Sequence, residues 1–157
     1  VGLMFTVGCS YMFYVMLMVG FFFALLAQRF VFVNAELKSE ITTGLLLMGV
    51  SVLLLISGEW RAVHIFCPVF LGCGFGISGA RFLLFFINLS DHCRRGTSQS
   101  TYFLACEAGV SLGLFIGYAF MQGNLTAVTA VSLTLTAFAL AMYLLFTHRW
   151  YMTNKSR

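Results

Sequence analysis

Residues 108–147 read AGVSLGLFIGYAFMQGNLTAVTAVSLTLTAFALAMYLLFT and contain no Asp, Glu, Lys or Arg. A helix needs about 20 consecutive apolar residues to cross the hydrocarbon core of a bilayer. The polar triplet Gln122-Gly123-Asn124 divides the stretch, which therefore supplies most of one spanning helix and all of the next. These residues predict two consecutive transmembrane helices.

Three further charge-free stretches, 1–28, 41–58 and 62–80, extend the same pattern over most of the chain. Hydrophobic residues make up 61% of the sequence and charged residues 9%, whereas soluble domains contain about 45–50% and about 25%. The sequence thus predicts an all-α integral membrane protein, with a single membrane domain over residues 1–157. The expected helices are 3–27, 42–59, 62–88, 98–121 and 126–148, followed by a tail over 149–157.

The basic residues indicate how these helices are oriented. The long loop after the first helix, the Ser90–Thr97 loop and the tail hold seven of them, whereas the opposite side holds Arg61 alone. The seven are Arg29, Lys38, Arg94, Arg95, Arg149, Lys155 and Arg157. Because loops rich in Lys and Arg stay on the cytoplasmic side, we expect a protein of the plasma (inner) membrane with a cytoplasmic carboxy terminus.

Several classes of function find no support in the sequence. The basic residues form no run or stripe, so a nucleic-acid partner is not expected. The five cysteines lack metal-ligand spacing, and no Ser/His/Asp set appears. We therefore expect no metal, no cofactor and no catalytic residues, and a protein that is not an enzyme.

Two ionisable residues interrupt otherwise apolar helices, Arg81 in the third and Glu107 in the fourth. Such residues are costly in a membrane and usually functional. Arg81 lies about 10 Å from the expected cytoplasmic helix end and Glu107 about 13 Å, so a buried ion pair between these two is a reasonable hypothesis. In the functional version, Glu107 binds a proton or a cationic substrate, while Arg81 tunes its proton affinity or binds an anionic group. In the structural version the pair is static, or Arg81 extends to nearby lipid headgroups.

Small residues recur at helical spacing in two helices. They are Gly72, Gly76 and Gly79 in the third helix, beside Pro68, and Gly109, Gly113 and Gly117 in the fourth. Such ridges let membrane helices approach closely. They predict either fixed helix packing or sliding surfaces of a helix pair that moves, and Pro68, which removes a backbone hydrogen bond, favours a flexible third helix.

At 100° per residue, Arg81 lies opposite the Gly72-Gly76-Gly79 ridge and shares its face with Gly74 and Ser78. We therefore expect one face of the third helix to pack and the other, with Gly74, Ser78 and Arg81, to line a cavity.

The loops between these helices resemble those of the major facilitator superfamily. Ala24-Leu25-Leu26-Ala27-Gln28-Arg29 is similar to a degenerate copy of its G-x-x-x-D-R motif, with Ala24 and Gln28 in place of Gly and Asp. Residues 94–102, which begin Arg94-Arg95-Gly96, resemble the R-x-G-x-a-x-x-x-y start of its eleventh helix. The departures at Ala24 and Gln28 remove the acidic partner of Arg29, which argues against a charge-based gate at this loop.

Three more features agree with that resemblance. Glu107-Ala108-Gly109, followed by Gly113 and Gly117, is similar to the acidic-x-Gly pattern of the eleventh helix in drug-efflux-like members. The glycine-rich Gly72–Gly79 segment leads into a polar loop, and a tight turn precedes a last helix with a polar tail. The five helices would then be the eighth to the twelfth of a family member, part of a six-helix half.

The resemblance implies two six-helix halves around a central cavity, working by alternating access. Arg81, Ser78 and Gly74 would face that cavity, while Gly109, Gly113 and Gly117 would pack near the interface of the halves. The implied function is secondary active transport of small molecules, as a proton-coupled exporter of the multidrug type. Its partners would be the lipid bilayer, a small-molecule substrate, protons and a missing amino-terminal half, since the chain starts at Val1 inside an apolar segment.

Two alternatives remain open from the sequence. The first is a nutrient or sugar permease of the same fold, because half of the cavity would lie upstream of Val1. The second belongs to a different class, a non-transporting membrane scaffold or the membrane anchor of an enzyme, which would need neither Arg81 nor Glu107.

Overall fold

The computed structural model describes residues 11–32, 36–57, 61–90, 95–119 and 124–154. The helices are α1 (Tyr11–Phe30), α2 (Leu37–Ser57), α3 (Arg61–Leu89), α4 (Arg95–Ala119) and α5 (Leu125–Met142). A π-helical turn (Tyr143–Thr147) continues α5 directly into α6 (His148–Asn154). Among the described residues, five helical segments are long and apolar enough to cross a membrane, the last formed by α5, the π turn and α6 together. The prediction of an all-helical membrane protein is confirmed at this level.

Two helix boundaries differ from the prediction by more than four residues. Helix α2 starts at Leu37, before the predicted residue 42, and residues 149–154 of the predicted tail are helical. In both places polar residues continue the helix beyond its apolar part, because an exposed end of a membrane helix does not have to be hydrophobic. The predicted residues 3–10 and 155–157 and the turns at 58–60 and 120–123 lie outside the described residues.

Helix α3 lies between α1 and α2 and packs along both. Glycines make the contact with α1 close: a Cβ atom added at Gly20 would lie 3.0 Å from the backbone nitrogen of Cys73, and one added at Gly72 would overlap the carbonyl group of Leu17. Gly76 lies against Ala24 in the same way. Gly72 and Gly76 therefore pack closely on α1, whereas the third glycine of the predicted ridge, Gly79, lies near the hydroxyl of Tyr102 on α4.

The opposite face of α3 packs on α2. A Cβ atom added at Gly74 would lie 2.7 Å from the carbonyl oxygen of Gly44, and one added at Gly44 would lie 2.9 Å from the Cβ atom of Ser78. The hydroxyl of Ser78 is buried and donates to the carbonyl of Gly74 at 2.7 Å. The expectation that Gly74 and Ser78 line a cavity is wrong, because α2 covers them. Towards the end of α2, the buried hydroxyl of Ser51 donates to the carbonyl of Cys67 in α3 at 2.9 Å, next to Pro68.

Helix α5 packs on the far side of α2. Ile41, Leu45 and Tyr143 form a buried cluster there, extended by Phe82 of α3. Helix α4 is different, because none of its described side chains is buried. It contacts α3 near one end, where the hydroxyl of Ser98 donates to the carbonyl of Phe86 at 2.6 Å.

Candidate functional site

Arg81 forms an ion pair with Glu40. The Nε atom of Arg81 donates to Oε2 of Glu40. Glu40 is 2% exposed, whereas the Arg81 side chain is 24% exposed. The carboxylate belongs to the first turn of α2 and the guanidinium to the last third of α3, so the pair joins two helices within an apolar bundle. Since removing two charges from water is costly, the pairing reduces a penalty that each charge alone would carry in full.

The predicted pairing of Arg81 with Glu107 is wrong. Five residues separate Tyr102 from Glu107, which places Glu107 about 140° around α4 from the side that contacts α3. Tyr102 marks that contact side, since its hydroxyl donates to the carbonyl of Gly79 at 2.9 Å. Glu107 is exposed instead. The prediction compared the distance of each charge from its helix end, but it did not consider the direction in which Glu107 points around α4.

The glycine ridge of α4 is also open. An added Cβ atom at Gly109 or at Gly113 would meet nothing within 4 Å. Neither glycine packs on another described residue, unlike the glycines of α3. Glu107 and the two glycines therefore lie on exposed surface about halfway along a helix that is long enough to cross a membrane.

A polar crevice of about 380 Å³ opens beside the Arg81–Glu40 pair. Its lining comes from the start of α2, the end of α3 and α6, and we call this region the charged end of the bundle. The lining residues are Glu36, Leu37, Lys38, Glu40, Arg81, Leu84, Asn88, His148, Tyr151 and Met152. Four of these residues carry or can carry a full charge on α2 and α3, and His148 can carry another on α6.

The π-helical turn brings Tyr143 and Tyr151 to the same side of the last segment. In a regular helix, residues eight apart differ by about 80° in direction, but a π turn absorbs one extra residue and reduces that angle to about 20°. The turn is shown by the backbone N–H of His148, which donates to the carbonyl of Tyr143. Both tyrosines are buried, at 2% and 4% exposure. Tyr151 stacks on Phe85 with ring centroids 4.7 Å apart, so the turn docks α6 on α3.

This geometry predicts that the π turn can be shortened. Deletion of Leu145, which is 63% exposed, is expected to convert the turn into regular helix and to keep Tyr143 and Tyr151 within about 20° of each other, now seven residues apart. We expect a thermal unfolding midpoint within about 3 °C of the unmodified protein, since at most about 1 kcal/mol is lost. Deletion of Leu135, equally exposed in the regular part of α5, rotates every later side chain by about 100° and is expected to abolish the folded protein. Similar losses from both deletions would contradict the π-turn argument.

An apolar groove of about 330 Å³ lies between α1, α3 and α4. Aromatic rings dominate its lining, with Phe21 from α1, Phe75 from α3, and Tyr102 and Phe103 from α4. Phe21 and Phe75 meet edge to face at 5.7 Å. At one side of the groove, Nε2 of Gln28 donates to the carbonyl of Gly76 at 3.4 Å.

The other predicted site residues lie apart from the crevice. Arg95 and Gly96 are exposed at the start of α4, and an added Cβ atom at Gly96 meets nothing within 4 Å. Arg29 is exposed in the last turn of α1. Pro68 is buried within α3, and Arg94 lies outside the described residues. The residues that the sequence did not single out are Glu40, Tyr143, His148 and Tyr151.

Comparison with protein-family models, with curated proteins and with solved structures finds no match to this chain.

Proposed function

We propose that this chain is part of a secondary active transporter of small molecules that works by alternating access. In this proposal it forms five helices of a major-facilitator-type half and exports lipophilic compounds of the multidrug type in exchange for protons. The protein would lie in the plasma membrane, with the charged end and the Lys- and Arg-rich loops next to it on the cytoplasmic side.

The observation that carries the proposal is the exposed position of Glu107. Twelve residues, or about 18 Å of helix, separate it from the start of α4 at Arg95. A carboxylate at that depth is unfavourable against lipid tails, and such groups almost always face a bundle interior or a water-filled cavity. We infer that this side of α4 borders an aqueous cavity between this half and a further set of helices.

The apolar groove supports a lipophilic substrate. Ligand sites are mostly apolar clefts lined by aromatic side chains with a few polar groups, and the groove between α1, α3 and α4 has that composition. A sugar would need a dense set of hydrogen-bonding side chains. The two described groups that could supply them, Gln28 and Tyr102, donate to backbone carbonyls. This favours export of drug-like compounds over the permease alternative.

Replacement of Glu107 by glutamine tests the proposal. In cells expressing the full-length protein, we expect extrusion of a lipophilic cationic dye to fall about tenfold, because the variant keeps the shape of the side chain but can neither carry a negative charge nor exchange a proton. Thr134→Ala on α5 is the control and should extrude dye at the normal rate, since its hydroxyl bonds only to the carbonyl of Val131 in its own helix.

Two outcomes would count against this function. Absence of dye extrusion by the unmodified protein, with accumulation of a sugar or an amino acid instead, would favour a permease. Normal growth, folding and localisation with no transport of any tested solute, unaffected by Glu107→Gln, would favour a scaffold.

A further inference from the structure

Two buried polar atoms, one on a residue that lines the crevice and one on its ring neighbour, have no role in the proposed function. The hydroxyl of Tyr143 and the Nδ1 atom of His148 are both buried, and neither has a hydrogen-bond partner among the described residues. The rings of the two residues lie 6.0 Å apart. Buried polar atoms of native proteins are normally satisfied by protein groups or by ordered water.

The π turn explains why these atoms occupy one place. Because the turn reduces the angle between residues 143 and 148 around the helix from about 140° to about 40°, the imidazole and the phenol point to the same side of the last segment. On that side the His148 ring lines the crevice together with the Glu40–Arg81 pair. π-helical turns are frequent at functional sites, and here the turn positions a titratable side chain beside a buried ion pair.

We propose that His148 is a proton-binding site that is supplied through water in this crevice. A hydronium ion in the crevice would give its proton to Nδ1 of the neutral imidazole, leaving water and a ring with one positive charge. The site is distinct from Glu107, which lies on another helix and on exposed surface.

The charges around His148 come from each element that packs near it. Helix α2 contributes Lys38 and Glu40, the residue just before it is Glu36, and α3 contributes Arg81; all four line the same crevice. Helix α6 contributes the Tyr151 hydroxyl, which accepts a hydrogen bond from Asn88 at 3.4 Å. Because Glu40 and Arg81 neutralise each other, Glu36 and Lys38 are the remaining full charges among the described residues that line the crevice with the imidazole.

A proton on His148 would also act on the ion pair. The imidazolium would add a cation to the crevice that the Glu40 carboxylate also lines, and among the described cations Arg81 is the one within ion-pair distance of that carboxylate. Competition for one carboxylate weakens the link between α2 and α3, so proton binding can loosen the charged end. A role for this proton in driving substrate export rests on the proposed transport function. The proton site itself does not depend on that function.

Histidine NMR in the full-length protein in nanodiscs tests the site directly. The ring signal of His148, assigned by its loss in His148→Gln, is expected to shift with pH as the imidazole takes up a proton. Lys38→Gln removes a like charge and should raise the pH midpoint by about half a unit, while Glu36→Gln removes an opposite charge and should lower it by a similar amount. Arg29→Gln, on α1 and away from the crevice, should leave the midpoint unchanged.

The opposite signs make this test decisive. A His148 titration midpoint that stays constant in both variants, or moves the same way in both, would overturn the site. A His148 signal that does not change with pH would also overturn it. The readout requires no transport activity.

Access for water is tested by cysteine labelling. A cysteine in place of Met152, which lines the crevice, is expected to react with a charged, membrane-impermeant thiol reagent at least tenfold faster than a cysteine in place of Leu145. The latter is equally exposed but does not line the crevice. Mass analysis of the peptide around residues 143–154 separates this reaction from the native cysteines. Equal rates would rule out an aqueous crevice.

The transport assay separates the two proposals. If the proton gradient drives export and His148→Gln leaves its pH profile unchanged, the role of this proton in coupling is wrong while the proposed function stands. If no transport occurs but the midpoint follows Lys38 and Glu36 as expected, the proton site stands and the proposed function is wrong.

Discussion

Replacing Glu40 by alanine is expected to destabilise the protein by about 2–3 kcal/mol. The substitution leaves the guanidinium of Arg81 without its carboxylate in an apolar bundle. Removal of one partner of a fully buried pair costs about 3–5 kcal/mol, and the lower figure used here allows for the 24% exposure of the Arg81 side chain. In thermal unfolding of the purified full-length protein, we expect the midpoint to fall by about 5–8 °C.

The double variant separates an unpaired charge from lost packing. Glu40→Met combined with Arg81→Met replaces both charges by apolar side chains of similar length, and should unfold within about 1 kcal/mol of the unmodified protein. Glu36→Ala is the matched control. Glu36 is exposed at the same end, so its removal should change stability by less than about 0.5 kcal/mol. If the double variant lost as much stability as Glu40→Ala, the ion pair would be a net source of stability, contrary to the expectation.

The helices could be predicted from the sequence because the bilayer imposes a simple rule on composition. Long charge-free stretches are sufficient to locate spanning helices, and the structure has helices at each of them. The two faces of α3 were also separable, since an angle of 100° per residue distinguishes the Gly72 side from the Gly74 side. Periodicity within one helix does not specify whether a neighbour covers a given face, and for that reason the expectation that Gly74 and Ser78 line a cavity was wrong.

The site was less accessible to sequence reasoning. Glu40 lies among polar residues before the apolar part of α2, where it is indistinguishable from a loop residue until the helix start at Leu37 is known. One signal was present: Glu40 precedes Gly44 by one helical turn, and Arg81 follows Ser78 by about one turn. Antiparallel helices that meet at Gly44 and Ser78 bring those two charges to the same level. His148 and Tyr151 depend on the π turn, which no simple periodicity predicts.

The strongest effects on helix packing are expected at the glycines between α1 and α3. Gly72→Ala places a methyl group against the carbonyl of Leu17, and Gly20→Ala places one 3.0 Å from the backbone nitrogen of Cys73. Backbone atoms cannot rotate away as a side chain can, so the two helices have to separate along their contact. We expect each substitution to cost about 2–3 kcal/mol, the upper part of the range for overpacked sites, measured as a lower thermal unfolding midpoint.

Gly109→Ala and Gly113→Ala provide controls, because they are expected to leave stability unchanged or to raise it. Both positions are helical glycines of the same chain, and an added Cβ atom at either meets nothing within 4 Å. Alanine is favoured over glycine inside a helix by up to about 1 kcal/mol, so these variants should be as stable as the unmodified protein or more so. A loss at Gly109 and Gly113 comparable to that at Gly20 and Gly72 would show that the exposed ridge of α4 packs closely in the full-length protein. That result would place further helices, rather than an aqueous cavity, against that ridge, and would limit any cavity to the side of α4 that carries Glu107.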